Sequence, residues 1–261
     1  EANSAPSYYG YFTHESSNVE ENTATLNTDP LFVDNYNGDY HLSDYSPSIG
    51  AGTTEGIPLI DLDGNVRPQP VGSNPDRGAY ENPLGERLAG ATYFIATTGS
   101  DSSNGQESTP YKTVQHGINA AWNGDTVLIA PGVYEENIEI NDKNITLGSY
   151  FITTQDTSFI EQTTIQGVID IQQIDSTTHI AGISVKGAQY GYDGLTIENV
   201  SGLTLSNVVV QNSGRRGINI IDSSVQLDSC RITKNDHPND NHKGGGIFSY
   251  NSDLILNSVI I

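Results

Sequence analysis

The sequence predicts an all-β solenoid, on three observations. A segment repeats along the C-terminal third, its apolar residues alternate with a period of two, and Gly, Asn, Asp and Ser punctuate it. Residues 203–208 align with 225–230, and both align with 254–259. The first step is 22 residues and the second is 29. The extra seven residues fall at 235–243, while Gly217-Ile218 and Gly246-Ile247 keep their places on either side. The insertion is therefore one enlarged loop.

Within each repeat the pairs Leu203/Leu205, Ile218/Ile220, Val225/Leu227 and Leu254/Leu256 alternate with polar residues. A period of two buries one face of a short strand, and the intervening residues carry turn chemistry. A unit of about 22 residues cannot bury its own apolar face, so it must stack on copies of itself. A propeller blade needs about twice this step. Weaker versions of the pattern occur upstream, at 126–129, 144–147, 164–166, 168–171 and 179–185. Cys230 aligns with Val208 and Val259, which makes it a small buried hydrophobe.

One segment breaks the pattern. Residues 113–122 place Val114, Ile118, Ala121 and Trp122 at helical spacing, with Pro110 just before them. A short amphipathic helix there would cover the open end of a solenoid, where Trp122 is expected to pack.

Composition excludes several functions. The chain of 261 residues has 11 Lys+Arg against 32 Asp+Glu, a formal charge of −21. Eleven spread cations cannot form the basic stripe that nucleic acid requires. No apolar run approaches the roughly 18 residues of a transmembrane segment. Cys230 is the only cysteine, which excludes an intrachain disulfide and a thiolate zinc site. The chain opens at Glu1 and ends at Ile261 without initiator Met or signal peptide, so it reads as a piece of something longer.

Residues 93–101, Asn104-Gly105, 110–115, 124–127 and 131–136 together resemble the N-terminal cap and first coil of the pectin-lyase-like right-handed parallel β-helix superfamily. The earlier stretches 29–34, 38–42, 46–52, 61–68 and 76–81 are similar to the choice-of-anchor Q element, which closes the C-terminal end of a β-helix in bacterial secreted and surface proteins. The resemblance implies a closing element at 1–84, a linker at 85–91 and a β-helix domain at 92–261. That domain would have its cap at 92–124 and about five to seven coils from 125 onward, with its C-terminal end missing. A closing element before an opening one suggests a window across two tandem domains. Head-to-tail self-association into filaments is a further expectation from that order.

The resemblance carries two functional expectations. One is a non-catalytic, secreted or cell-surface bacterial module: a stalk, adhesin or glycan-binding scaffold whose partner is a polysaccharide or another surface protein. The other is a fragment of a polysaccharide lyase or hydrolase acting on acidic polysaccharide. Lyases of this fold use Arg or Lys as base, which singles out Arg215, Arg216 and Lys234; the alternative is a charged turn. No tight Asp pair of the hydrolase kind is evident at coil spacing. The enlarged loop offers Asp236, His237, Asp240, His242 and Lys243 for binding, since solenoid binding surfaces lie in protruding loops. Structural calcium is expected at Asp61, Asp63 and Asn65, or at Asp101, Asn104 and Glu107, where oxygen ligands recur at short spacing. The alternative for both is an Asx turn, in which the side chain bonds nearby backbone.

Overall fold

The computed structural model describes residues 30–34, 37–174, 178–187, 191–235 and 245–261. The chain divides into two compact units, Glu1–Leu88 and Ala89–Ile261.

In the first unit, β1 (Phe32–Asp34) and β2 (Asp39–Leu42) form an antiparallel pair, and residues 43–88 are mostly turns. Buried carboxylates organise those turns. Asp61 accepts backbone N–H groups from Asp63, Asn65 and Glu81 and the Asn65 amide, at 2.8 to 3.0 Å. Asp76 accepts from Gly50 and Asn82. Glu81, its side chain fully buried, pairs with Arg67 Nε at 2.5 Å and also accepts the backbone N–H groups of Gln69 and Asp76. Satisfied in this way, polar groups order a unit with few apolar residues to bury. Residues 85–88 belong to this network through Arg87 Nε to Tyr45 O and Leu88 N to Asp44 O. The second unit begins at Ala89, and the Gly90 and Ala91 N–H groups donate to the carboxylate of Asp125.

The second unit is a right-handed parallel β-helix, as its sequence predicts. One sheet of seven strands contains β3 (Thr92–Ile95), β4 (Thr126–Ile129), β7 (Thr146–Ser149), β10 (His179–Ala181), β13 (Ser201–Ser206), β16 (Ser224–Asp228) and β19 (Asp253–Asn257). A second, of five strands, contains β5 (Gly132–Tyr134), β8 (Thr163–Gln166), β11 (Ser184–Lys186), β14 (Val209–Gln211) and β17 (Arg231–Thr233). The third, also of five, contains β6 (Ile138–Asn141), β9 (Ile169–Gln172), β12 (Leu195–Glu198), β15 (Ile218–Ile221) and β18 (Ile247–Tyr250). The chain visits the sheets in rotation, so two five-stranded sheets mean five complete coils.

The core is a set of stacked apolar rows. Leu147, Ile180, Leu205 and Leu227 form one, Ile165, Val185, Val210 and Ile232 another, and Ile138, Ile169, Leu195 and Ile218 the third; none is more than 1% exposed. The register pairs Leu203 with Val225 and Leu254, and Leu205 with Leu227 and Leu256, as the repeat implies. Leu256 keeps its place in the row but is 45% exposed, because β19 is the edge strand of its sheet. Cys230 is buried, as expected for its row.

Turn residues stack as well. Asp142, Asn199, Asp222 and Asn251 each take a left-handed φ near +50° after a strand of the third sheet. Asn207, Ser229 and Ser258 do so after strands of the first. Short polar side chains tolerate that conformation, which explains the punctuation seen in the sequence.

The expected helix is α1 (Val114–Ala120), capped by Thr113 Oγ1 on the His116 N–H. Glu136 takes the Val114 and Gln115 N–H groups, and Lys143 Nζ donates to the carbonyls of Ile118, Asn119 and Ala121. The two turns that flank β6 in the first coil thus supply partners to both helix ends. Val114, Ile118 and Ala121 are buried, whereas Trp122 lies beyond the helix end and is 37% exposed. Two short helices, α2 (Phe151–Thr154) and α3 (Ser158–Gln162), interrupt the second coil and are not foreshadowed by the sequence pattern.

Candidate functional site

The loops that enter the third sheet vary in length from coil to coil. The loop between β14 and β15 carries Arg215 and Arg216, and its course is fixed locally. Asn212 takes a φ of +59°, and Asn235 from the next coil accepts the Ser213 N–H. Gly217 closes the loop where a Cβ would lie 2.4 Å from Ile232 and 2.6 Å from the Asn235 amide, so only glycine fits.

This course brings Arg216 over the equivalent position of the preceding coil, Asp193. Arg216 Nε and Nη2 each lie 3.0 Å from a different Asp193 oxygen, and the Arg216 backbone N–H donates to the same carboxylate at 3.0 Å. Asp193 is 5% exposed at its side chain and Arg216 13%. Arg215 Nη1 approaches the carboxylate at 3.6 Å while its side chain stays 36% exposed. The Arg216 guanidinium lies 4.7 Å from the ring centroid of Phe248, a cation–π distance.

Beside this cluster runs the outward row of the third sheet: Glu139, Asp170, Thr196, Asn219 and Phe248, one from each strand. Burial pushes the Asp170 carboxyl above its ordinary value; the Thr196 hydrogen bond opposes this, and the negative charges of Glu139 and Asp193 reinforce it. Asn219 is 5% exposed, and its Oδ1 meets no donor among the described residues. The arrangement thus joins two guanidinium groups, a protonatable carboxyl and an amide oxygen on one outer face.

Of the expected site residues, Arg215 and Arg216 come together on Asp193. Lys234 does not join them in any ion pair among the described residues; it is the exposed left-handed turn residue after β17. Asp236, His237, Asp240, His242 and Lys243 lie outside the described residues.

The two calcium candidates are engaged with the protein. Asp61 receives four N–H bonds, two on each oxygen. Burial works to raise its pKa, but those donors prevail and hold it at about 2. The Asp63 carboxylate points to His41 Nε2 at 2.7 Å, and the Asn65 amide is spent on Asp61. Asp101 accepts the Lys112 and Thr113 N–H groups and the Thr113 hydroxyl, which anchors the approach to α1. Asn104 Oδ1 accepts from Thr109, and Glu107 is exposed. Among the described residues no three His, Cys, Asp or Glu side chains form a metal-holding group.

The sequence pattern does not single out Asp193 or Asp170. Asp193 does carry a signal, since it stands 23 residues before Arg216, one coil step with opposite charge.

Residues 97–142 match a family described as a protein of unknown function (DUF1565). No curated protein matches the chain. Among solved structures, the chain is similar to a rhamnogalacturonan lyase at 12% identity, over 65% of this chain and 56% of that one, with a TM-score of 0.45. It is also similar to a pectin methylesterase mutant in complex with a hexasaccharide, at 13% identity over 65% and 66%, TM-score 0.38. A pectate lyase matches at 14% identity over 61% and 58%, TM-score 0.34. The chain thus spans little more than half of the first of these. The three stacked parallel sheets make the class a parallel β-helix.

Proposed function

We propose that this chain is a non-catalytic β-helix module of a bacterial secreted or surface protein that holds acidic polysaccharide on the outer face of its third sheet. The observation that carries this reading is the convergence of Arg215 and Arg216 on Asp193. At Asp193 one carboxylate faces two guanidinium groups, with Glu139 and Asp170 in the row beside it, so Arg215 offers a local cation on a chain of net charge −21. Arg215 is the more exposed of the two and is placed to meet a uronate carboxylate in the fork geometry that guanidinium favours. Arg216, clamped by two hydrogen bonds and a ring, serves as the anchor and is unsuited to take a proton.

The acidic remainder of the surface repels a polyanion unless cations bridge, so calcium belongs to the assay as well as to the reading. The reading also includes a closing role of the choice-of-anchor Q kind for the first unit and head-to-tail association, which light scattering tests.

A hydrolase reading draws on Asp170, whose raised pKa beside Asp193 suits a general acid paired with a second carboxylate. Incubation with alginate, pectate and chondroitin, with calcium, separates the readings. The proposal expects neither unsaturated product nor new reducing ends. Turnover lost in Asp170→Asn would favour the hydrolase, and turnover lost in Arg215→Ala the lyase.

A further inference from the structure

The outer face of the seven-stranded sheet carries a second feature that takes no part in the Asp193 cluster. Register places Thr92, Thr126, Thr146, His179 and Thr204 in one outward row across five neighbouring strands. The next outward row includes Leu128, Gly148, Ala181 and Ser206. Here α2 sits down on the sheet. A Cβ on Gly148 would lie 2.7 Å from Ile152 Cγ2, and one on Gly182 would lie 2.4 Å from Phe151 Cβ. These two glycines give α2 its seat and turn it into a ledge beside the threonine row.

Between ledge and row lies a groove of about 510 Å³, lined by Thr92, Thr126, Thr146, His179, Ser206 and Leu128, with Ile152 and Gln155 on the ledge side. That volume lies in the range of small-molecule sites, about 300–1,000 Å³. The lining contains no carboxylate, lysine or arginine. On a chain this acidic, such a stretch is unusual. His179 Nε2 and Ser206 Oγ are 2.7 Å apart. Burial lowers the His179 pKa, opposed by the charge of Asp228 at the edge of the groove, which favours the neutral ring. Gln226 and Asn257 amides cover that carboxylate at 2.7 Å each. The hydroxyls of Thr92, Thr126 and Thr146 bond to no other described residue.

We propose that this groove binds an uncharged saccharide chain lying along the solenoid axis. The row crosses the strands, so its hydroxyls repeat along that axis at the strand spacing of about 4.8 Å. Thr126, Thr146, His179 and Ser206 supply paired donors and acceptors for sugar hydroxyls, and Leu128 and Ile152 supply an apolar wall for the C–H face of a ring. A sugar acid fits poorly, because no cation in the lining would pair with its carboxylate. This site is distinct from the Asp193 cluster, and the two are tested apart.

The experiment is isothermal titration with hexasaccharides of cellulose, mannan, xylan and galactan, with hexagalacturonate as the charged comparison. The expected result is saturable binding of at least one neutral hexasaccharide. That binding should fall about tenfold or more in the shape-conserving Thr126→Val/Thr146→Val variant and stay unchanged in Arg215→Ala. The variant's melting temperature serves as the folding control, and His179→Gln provides a second disruption should the threonine variant misfold. The proposal is overturned by no binding of any neutral hexasaccharide at millimolar concentration, by binding indifferent to the groove variants, or by a preference for hexagalacturonate in the groove. Hexagalacturonate binding lost only in Arg215→Ala, with no neutral hexasaccharide bound, would leave the first reading standing and sink this one.

Discussion

Arg216 and Asp193, 23 residues apart in sequence and one coil apart in space, meet in a two-pronged ion pair that is nearly shut off from solvent. Such a pair adds little by itself, because desolvating both charges offsets their attraction. Removing one partner leaves the other charge buried alone, at about 3–5 kcal/mol. Arg216→Met is therefore expected to destabilise the β-helix by about 3 kcal/mol, and the further change Asp193→Asn should restore much of the loss. A double-mutant cycle by urea unfolding measures this. Additive effects would mean that the pair is not coupled.

The interior rows give a second prediction. Leu227 is fully buried between Leu205 and Leu256, so Leu227→Ala should cost about 2–5 kcal/mol. Cys230 offers the readout. It is the only thiol, buried, its Sγ 3.3 Å from the Leu205 carbonyl, and burial pushes its pKa up to about 11. Labelling by a thiol reagent should be negligible in the native protein and markedly faster in Leu227→Ala. Equal rates in both would mean that this row does not govern opening of the coil.

Much of this was legible in advance because a solenoid writes its register into spacing. The steps linking Leu205, Leu227 and Leu256 equal the observed pairings, and the enlarged loop leaves them intact. The Asp193–Arg216 pair follows the same step but lies in loops, where no apolar alternation marks the register. Asp170 looks like any polar residue between two isoleucines until the fold sets Glu139 and Asp193 near it. The helices α2 and α3 escaped because 151–162 mixes aromatic and β-branched residues without helical periodicity. Trp122 shares the helical spacing, but the helix ends at Ala120 and the chain turns extended before reaching it.

The ends of α1 supply a third prediction. Glu136 holds its first N–H groups and Lys143 its last carbonyls. Loss of a cap costs about 0.5–2 kcal/mol. Glu136→Ala and Lys143→Met should each lower the melting temperature, and amide exchange should quicken within 114–120 while the distant coils stay protected. Uniform exchange across the solenoid would show that these residues act elsewhere.

Acid should act on the first unit. Asp61 has a pKa of about 2 in the folded protein, below its ordinary value of about 3.9. A lowered carboxylate contributes stability in full above the unfolded value and loses it as pH falls through the folded one. The melting temperature should thus drop between about pH 4 and pH 2, and Asp61→Asn should flatten that drop. His41 has the opposite sign. Hydrogen bonds to Asp63 and Asp39 raise its pKa, so its contribution is present below about pH 6.5 and fades as pH rises through the raised value. With both Asp61 oxygens filled by N–H donors, EDTA should leave the melt unchanged. A rise with millimolar calcium that vanishes in Asp61→Ala would place the ion there.

Under the proposed function the third sheet holds acidic polysaccharide through Arg215 without cutting it. Affinity electrophoresis in gels cast with polygalacturonate and calcium tests it most directly. The protein should be retarded, Arg215→Ala should migrate as in a plain gel, and the polymer in the track should stay at full length. Equal retardation of the two proteins, or shortened polymer in the track, would contradict it.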